Sequence, residues 1–379
     1  MDELIDMQEK NKVDCGHSSG IFTMSQKSRV VSVWAMFTVV MIHSNTLGTF
    51  PDAANWNVFI QRLLTRALSD WAVPFFFLGS GFWYAKGNSR RRMGGYGHLL
   101  KKKVNTLLVP YVLWSVLGAF LSMPVILFNN HVRGLPLLSR TFLGQHGIWA
   151  KIDHLIGITT SGPSGNLALW FLRTLIFLFI FTPLWNLMLR YLGKWGLLVL
   201  GMFLAVLSGD FKIPYIHLQL SAIGWFMAGM ALTRTDILAK SWKSMWILLP
   251  CGAVYVFLGV YMALRHQLPF NLIPVFGFAF FWALYDFLPA VSWPGTLLKS
   301  TFWVYCMHGS IMGYFLAGGV FLLGKTNVTT FFIMLLSPFL ALAFCLACRA
   351  VLLCCFPAVY EILNGGRNAG DKESEVKKR

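Results

Sequence analysis

The chain has 379 residues, of which 56 % are hydrophobic and only 12 % are charged, and its mean hydropathy is +0.61. A soluble domain carries roughly a quarter charged residues, so this composition excludes a water-soluble fold, which could not cover so much apolar surface. The net charge of +17 is spread between apolar runs and is not gathered in a basic domain with interleaved aromatic residues, which argues against nucleic-acid binding.

The first 28 residues are polar and of mixed charge, and the apolar run that follows them has no small-residue cleavage site. We therefore expect an uncleaved N-terminal segment at 1–28 rather than a signal peptide. The membrane-embedded part is expected to begin at residue 29.

From there the apolar residues fall into ten blocks, each close to the roughly 20 helical residues that cross a bilayer. The blocks are continuous rather than alternating, which favours helices over a barrel. We predict an all-α, polytopic bundle of about ten transmembrane helices, at 29–48, 69–86, 104–127, 167–189, 195–209, 213–232, 244–264, 270–291, 300–323 and 328–356. The second, fifth and sixth spans are short or interrupted, so nine or eleven spans are alternatives.

The lysines and arginines indicate how the bundle is oriented. With ten spans and the N-terminus inside, 22 of the 32 basic residues lie in inner segments or, for Arg29 and Lys86, at the inner end of a span, eight lie in outer loops, and Arg173 and Arg349 lie deeper within spans. This bias follows the positive-inside rule. Both termini are therefore expected in the cytoplasm.

The chain thus divides into a cytoplasmic N-terminal segment at 1–28, one membrane domain at 29–356 and a charged cytoplasmic tail at 357–379. The tail has no periodic apolar residues and is predicted to be disordered. Within the domain, an outer loop at 128–166 is unusually long, and such loops often carry function. Its polar and partly basic composition suits a cover over a site or a contact to the acceptor, and a solvated connector is an equal alternative.

The seven cysteines fall mostly within predicted spans or at the inner end of the last one. A free cysteine in an apolar span behaves as a small hydrophobic side chain. The spacing of Cys345 and Cys348 has no second pair to complete a metal site. We predict neither a metal site nor disulfides.

The first span, SRVVSVWAMFTVVMIHSN, holds the first candidate for chemistry, because it carries His43 near its outer end. Ser32 lies eleven residues earlier, which is about 16 Å along a helix and close to the same face. An imidazole inside a bundle is a plausible general base for a hydroxyl near neutral pH. A lone interior histidine is nevertheless more often structural.

Four further segments follow that histidine in order: AVPFFFLGSGFWYAKG at 72–87, KKKVNTLLVPYVLW at 101–114, GPSGNLALWFLRTL at 162–175 and STFWVYCMHG at 300–309. In order, spacing and span count the chain resembles the acyltransferase 3 family of bacterial membrane proteins over nearly its whole length. The resemblance implies transfer of an acyl group, usually acetyl or succinyl, from cytoplasmic acyl-CoA to a hydroxyl of a glycan or lipid-linked sugar, in the bacterial inner membrane. Acyl-CoA, with acetyl-CoA favoured, would be a co-substrate and not a resident cofactor.

The resemblance also assigns roles to residues. His43 matches the family's first-span histidine, whereas Ser32 stands where the family usually has an arginine, and Arg29 one turn earlier is a possible substitute. Tyr305 and His308 match a Tyr-x-x-His near the ninth span, where they would bind substrate or hydrogen-bond between helices.

Basic residues complete the set of candidates. Arg173 matches a basic position of the family's fourth span, and Asp286 is a candidate counter-ion for it. Arg92, Lys102 and Lys103 belong to a basic cytoplasmic segment that would attract the phosphates of CoA, although a topology anchor is sufficient to explain them and is the favoured reading for any one residue.

The predicted mechanism is direct transfer, with His43 as the base for the acceptor hydroxyl, and an acyl-enzyme relay is an alternative. It contains a geometric tension, because the basic segment is cytoplasmic while His43 is expected toward the outside, so the pantetheine arm of CoA would have to thread the bundle. A transporter or flippase for a sugar lipid or small solute, with no acyl transfer, is the alternative function. A degenerate family member that acts as a sensor is a third reading, based on Ser32 alone.

Overall fold

The computed structural model describes residues 24–48, 53–90, 95–132, 135–160, 162–209, 211–214, 217–265, 271–289 and 293–367. The fold is 78 % helical with almost no strand, which confirms the all-α prediction. Its helices are α1 (Met24–Ile42), α2 (Asn55–Arg62), α3 (Ala72–Arg90), α4 (Tyr96–Lys103), α5 (Val109–Val132), α6 (Ile148–Ile156), α7 (Trp170–Ile180), α8 (Thr182–Leu207), α9 (Leu220–Leu232), α10 (Met245–Arg265), α11 (Ile273–Phe287), α12 (Gly295–Leu298), α13 (Thr301–Leu323), α14 (Asn327–Cys355) and α15 (Pro357–Leu363).

Short irregular elements join these helices. Two π-helical turns, Leu63–Ala67 and Val104–Leu108, follow α2 and α4 directly, and 3-10 turns lie at Phe142–Gly144 and Leu167–Leu169. The strands β1 (Lys212–Ile213) and β2 (Leu218–Gln219) form a two-residue antiparallel ladder before α9. Because π-turns within helices often mark functional sites, the turn after α4 indicates that the adjoining basic residues of α4 belong to a functional region.

Among the described residues, five helices are long and apolar enough to cross a membrane: Tyr96–Val132, Thr182–Leu207, Met245–Arg265, Thr301–Leu323 and Asn327–Cys355. Shorter apolar helices occupy Leu167–Ile180, Leu220–Leu232 and Ile273–Phe287. The chain is thus a multi-pass membrane protein, whereas the count of ten spans stays a prediction. In α8 the residue Gly193 has φ of 67° and breaks the helix in two, close to the predicted boundary between the fourth and fifth spans.

The predicted sixth span begins too early. Ile213, Leu218 and Gln219 belong to the small hairpin, and the helix starts at Leu220. Pro214 lacks the amide hydrogen that a helix interior requires, and His217 has a left-handed φ of 46°. Both features end helical geometry before residue 220.

Close packing of glycines joins α3 to α9. A Cβ added at Gly81 would overlap the carbonyl oxygen of Phe226, and one added at Gly229 would overlap that of Leu78. Small residues let helix backbones approach closely inside a membrane. The Ser80–Gly81 pair, interpreted from the sequence as a packing element, therefore serves that purpose at Gly81.

The segment predicted as the outer loop packs partly against α5. The hydroxyl of Tyr111 donates to the carbonyl of Ile156, and Gly165 lies against the backbone of Ala119 so closely that a Cβ would overlap it. The exposed face of α6 carries Ile148 and Trp149. The described residues near the end of this loop are therefore packed against α5.

The tail also differs from its prediction, because residues 357–367 are folded. Tyr360 is 1 % exposed and packs on Trp303 at 5.1 Å between ring centroids, and its hydroxyl accepts a hydrogen bond of 3.0 Å from Nε of Arg349. Trp114 Nε1 donates to the carbonyl of Leu363 at 3.0 Å. A few apolar side chains thus dock this stretch, although they are too few to form a periodic pattern; the rest of the predicted disordered tail lies outside the described residues.

A buried ion pair ties the start of α1 to the end of α11. Lys27 Nζ lies 2.6 Å from Asp286 Oδ2, which also accepts the backbone N–H of Trp242 at 2.7 Å, and the ammonium stands 4.6 Å from the ring centroid of Trp282. Asp286 is therefore the partner of Lys27 and not of Arg173, so that sequence prediction was wrong. A charge matched by sign alone cannot identify its partner among helices far apart in the chain.

We expect Lys27→Met to destabilise the fold by about 2 kcal/mol, below the roughly 3–5 kcal/mol of a fully buried pair, because the Trp242 amide still satisfies the carboxylate. The double variant Lys27→Met/Asp286→Asn should recover much of this loss, since no unpaired charge remains. Thermal unfolding in detergent measures both, with Lys325→Met, an exposed lysine, as the matched control. Equal melting points for the wild type and Lys27→Met would show that the pair contributes nothing.

Candidate active site

Two histidines meet inside the bundle. His43 follows the last residue of α1, and His308 lies on α13 with no exposed surface. Their ring centroids are 5.1 Å apart, with the planes inclined by 59°. The histidine that the sequence singled out thus has a second imidazole as its neighbour, 265 residues further along the chain.

Hydrogen bonding determines how the His308 ring is protonated. Its Nδ1 lies 3.0 Å from the carbonyl oxygen of Val304 one turn earlier. Because a carbonyl only accepts, Nδ1 carries the proton in the neutral ring, and Nε2 keeps its lone pair. Nε2 is buried and has no hydrogen-bond partner within the described part of the chain, so it is a base whose orientation is already set.

His308 lies near the start of its helix. It is seven residues from the start of α13 and fifteen from its end, or about 10 Å and about 22 Å along the helix axis. His43 directly follows the last residue of α1, whose first turns lie beside the end of α11. The pair therefore joins the end of α1 to the first third of α13.

The helix that carries His308 is held by the segment before α7. The hydroxyl of Tyr305 donates to the carbonyl of Ala168 at 2.6 Å and accepts the backbone N–H of Leu172 at 3.3 Å, and Asn166 Nδ2 donates to the carbonyl of Cys306 at 2.7 Å. The hydroxyl of Tyr305 is thus engaged with backbone groups. Tyr305, a predicted substrate contact, has the geometry of a positioning residue.

Asn166 was missed by the sequence reasoning, although it belongs to the quoted GPSGNLALWFLRTL segment. It is 1 % exposed, and its Oδ1 has no hydrogen-bond partner among the described residues. A Cβ at Gly309 would overlap that oxygen. A polar residue next to glycines before an apolar helix is the signal that could have identified it.

A cavity of about 630 Å³ opens on the side of the site where α1 begins. Its walls come from α1, α3, α4, the α7–α8 junction and the residue after the C-terminal turn. The residues that line it are Ser28, Ser32, Phe75, Phe76, Gly79, Ser80, Trp83, Tyr84, Gly87, Gly95, Tyr96, Leu99, Lys102, Lys103, Leu107, Leu175, Phe179, Thr182, Pro183, Asn186 and Arg367. Three of them are cations and none is a carboxylate.

The predicted cationic residues divide between this cavity and the surface. Lys102 and Lys103 line it, and the Lys103 ammonium lies 3.7 Å from the ring centroid of Phe179. Arg29 is exposed and is not among the lining residues, because on a helix Ser28, four residues from Ser32, shares its face more closely than Arg29 does. Arg92 lies outside the described residues.

Ser32 lines the cavity in the position where the family usually has arginine. Its hydroxyl donates to the carbonyl of Ser28 at 2.7 Å, so both of these serines present small polar groups and no charge. The lining residues of α1 therefore carry no charge, and the cations that line the cavity lie on other elements.

Aromatic rings connect the cavity to the histidine pair. Phe76 in the cavity wall lies 6.1 Å from Phe171, which lies 5.5 Å from Tyr305, and Tyr305 lies 6.1 Å from His308, all between ring centroids. Such a wall is apolar along its length and ends at two imidazoles.

Arg173 binds the segment predicted as the outer loop and does not line the cavity. Its Nη1 donates to the carbonyl oxygens of Gly157, at 2.6 Å, and Thr160. Nearby, burial opposes ionisation of Asp153, but hydrogen bonds from Thr159 outweigh this effect, and with the Arg173 charge they hold the pKa of Asp153 below its usual value. Arg173 thus anchors residues 157–160, and its predicted role in substrate binding has no support from these contacts.

Among the described residues, no group of three or more His, Cys, Asp or Glu side chains could hold a metal ion. The described cysteines are unpaired, and Cys306 and Cys345 are buried. The ionisable groups that meet at the site are the two imidazoles. Proton transfer is what such a set performs best.

Taken together, the fold and the site define a multi-pass helical membrane protein with a pair of neighbouring histidines and a cationic cavity. The chain belongs to the acyltransferase 3 family: the family model, described as an acyltransferase domain, matches residues 31–354, most of the chain. It is by family a membrane acyltransferase, as the resemblance indicated. Comparison with curated proteins and with solved structures gave no match.

Proposed function

We propose that the protein is a membrane O-acyltransferase that moves an acyl group, with acetyl favoured, from acyl-CoA to a hydroxyl of a glycan or lipid-linked saccharide. The observation that carries this proposal is the histidine pair, with rings 5.1 Å apart, placed at the end of an aromatic wall that begins in a cationic cavity. Imidazole is the general base best matched to a hydroxyl near neutral pH. The cations suit the phosphates of a CoA donor.

In the proposed reaction the acceptor hydroxyl gives its proton to an imidazole nitrogen while its oxygen attacks the thioester carbonyl. The tetrahedral intermediate then expels the CoA thiolate, and the proton returns from the imidazolium to that sulfur. His43 is the proposed base. The Nε2 lone pair of His308, with its ring held by Val304, stands beside it to share or relay the proton.

The donor is proposed to enter at the cavity with its nucleotide near Lys102 and Lys103, which line it. Its pantetheine arm would follow Phe76, Phe171 and Tyr305 to the histidines. Because His308 is about 10 Å from the start of α13, the arm has a short distance to cover. In this arrangement the cavity faces the cytoplasm of a bacterium, both termini lie inside, and the acceptor approaches from the opposite side of the inner membrane.

The test is transfer by the purified protein in liposomes. Radiolabelled acetyl-CoA and succinyl-CoA are supplied in turn with extracted cell-envelope glycans and lipid-linked saccharides, and products are identified by mass spectrometry. We expect one donor to label one acceptor class with the mass of a single acyl group, which mild alkali removes as an ester. Acceptor pools with identical masses in cells with and without the gene, together with altered solute uptake, would contradict acyl transfer and favour transport.

A further inference from the structure

Position 32 carries a serine where the family usually has an arginine, and the C-terminal segment places a different arginine in the same cavity. Arg367, in the segment predicted to be disordered, lines the same cavity as Ser32. It approaches from the other end of the chain, 335 residues away in sequence. Its guanidinium is the one arginine group among the described residues that line this cavity.

A turn formed by two glycines after α15 positions Arg367 at the cavity. Gly365 and Gly366 have φ of 67° and 69°, a left-handed conformation that glycine adopts without strain, and their amides donate to the carbonyls of Ile362 and Glu361 at 3.1 Å and 2.8 Å. A Cβ at Gly365 would stand 2.7 Å from the carbonyl oxygen of Thr106. The turn is therefore pressed against the π-helical segment that follows α4.

Contacts on two sides orient the guanidinium. It lies 3.4 Å from the ring centroid of Phe302 on α13, and its Nη1 donates to the carbonyl of Asn364 at 2.7 Å. Within the described part of the chain, its other nitrogens make no hydrogen bond. Arg367 nevertheless keeps an exposed surface, so its guanidinium remains accessible to a ligand in the cavity.

The positive charge of the residues that line the cavity favours an anionic ligand. Lys102 and Lys103 lie on α4, Arg367 lies on the C-terminal segment, and the described lining contains no Asp or Glu. A stacked guanidinium with donors directed into such a space is suited to bidentate binding of phosphate. Phe302 precedes His308 by six residues, or about 9 Å of helix, so a phosphate at Arg367 lies at the entrance to the path toward the histidines.

We propose that Arg367 binds a phosphate of the acyl donor and thereby replaces the cation that is missing at position 32. This inference rests on the proposed function for the identity of the donor as a CoA thioester. The ligand class is a phosphate-bearing nucleotide, and the element that supplies the contact is the C-terminal turn rather than the first helix. The C-terminal segment is accordingly part of the donor site.

Calorimetry with CoA, which lacks an acyl group and cannot react, tests the binding without turnover. Arg367→Gln should weaken CoA binding about ten- to hundredfold, the range expected for a charge-assisted hydrogen-bonded pair. Arg265→Gln, which removes an exposed arginine at the end of α10, should leave it unchanged. Pantetheine, which has no phosphate, should bind the wild type and Arg367→Gln equally, whereas a loss caused by damaged structure would affect both ligands.

Two further measurements complete the test. Adding Ser32→Arg to Arg367→Gln should restore CoA affinity to within a few-fold of the wild type, since a guanidinium then enters the same cavity from α1. In the unmodified protein, saturating CoA should protect Arg367 from an arginine-specific dicarbonyl reagent, as mapped by peptide mass spectrometry, and this readout does not depend on a variant that folds.

The proposal is overturned by wild-type CoA affinity in folded Arg367→Gln, by equal modification of Arg367 with and without CoA, or by a wild type that binds no CoA. Failure of acyl transfer with CoA binding and protection intact would refute the proposed function and leave the assignment of Arg367 standing. Failure of protection in a protein that transfers acyl groups would do the reverse. The two hypotheses are therefore separable.

Discussion

His43→Ala is expected to lower the rate of acyl transfer at least about 100-fold while the protein stays folded, the lower bound for removing a general base. His308→Ala should fall in the same range, because its Nε2 is the oriented lone pair beside His43. If the two rings act as one unit, the double variant should be no slower than the slower single variant, since effects within a catalytic unit are not additive. Initial rates with saturating donor measure all three.

The controls separate chemistry from structure. His131→Ala removes an exposed histidine at the end of α5 and should transfer at the wild-type rate. Each variant is first tested for a monodisperse peak in detergent and for CoA affinity, which should be unchanged because neither histidine lines the cavity. Folded, CoA-binding His43→Ala that transfers at the wild-type rate would remove the proposed base. Parallel loss of folding and activity in both single variants would assign the pair a structural role.

The sequence predicted well what depends on local pattern. Apolar runs of membrane length, the interruption near residue 193 and the packing role of Gly81 all follow from a few neighbouring residues. His43 was found because an imidazole in an apolar helix costs free energy unless it pairs, lines a wet cavity or reacts. The resemblance to the family was recognised from four segments whose order can be read directly from the sequence.

Contacts between distant helices could not be predicted in this way. Helical periodicity tells which face a residue lies on, but not which helix covers that face or at what depth. For this reason His308 was not recognised as the neighbour of His43, and Asp286 was matched to Arg173 instead of Lys27. Arg367 was overlooked for another reason, because two glycines and a short helix place it, and neither produces a periodic signal.

Gly229→Ala should prevent most of the expressed protein from folding, although the substitution adds only one methyl group. The added Cβ would overlap the carbonyl oxygen of Leu78 on α3, and a backbone atom cannot move aside by changing rotamer as a side chain can. The helices α3 and α9 would have to separate along their contact, so the cost should exceed the roughly 1–3 kcal/mol typical of an overpacked core. The yield of monodisperse protein after detergent extraction, and its unfolding midpoint, measure the loss.

Gly79→Ala is the matched control, because it is the same substitution on α3, the helix that Gly229 packs against, yet nothing stands within 4 Å of the added Cβ. It should fold normally or become slightly more stable, since alanine is favoured over glycine in a helix by about 1 kcal/mol. Any Gly229→Ala protein that survives should also bind CoA weakly, because α3 carries Ser80, Trp83 and Tyr84 of the cavity wall. Equal yields and midpoints for the two variants would show that α3 and α9 do not pack as closely as their glycines indicate, and the cavity wall would then have to be supported by other helices.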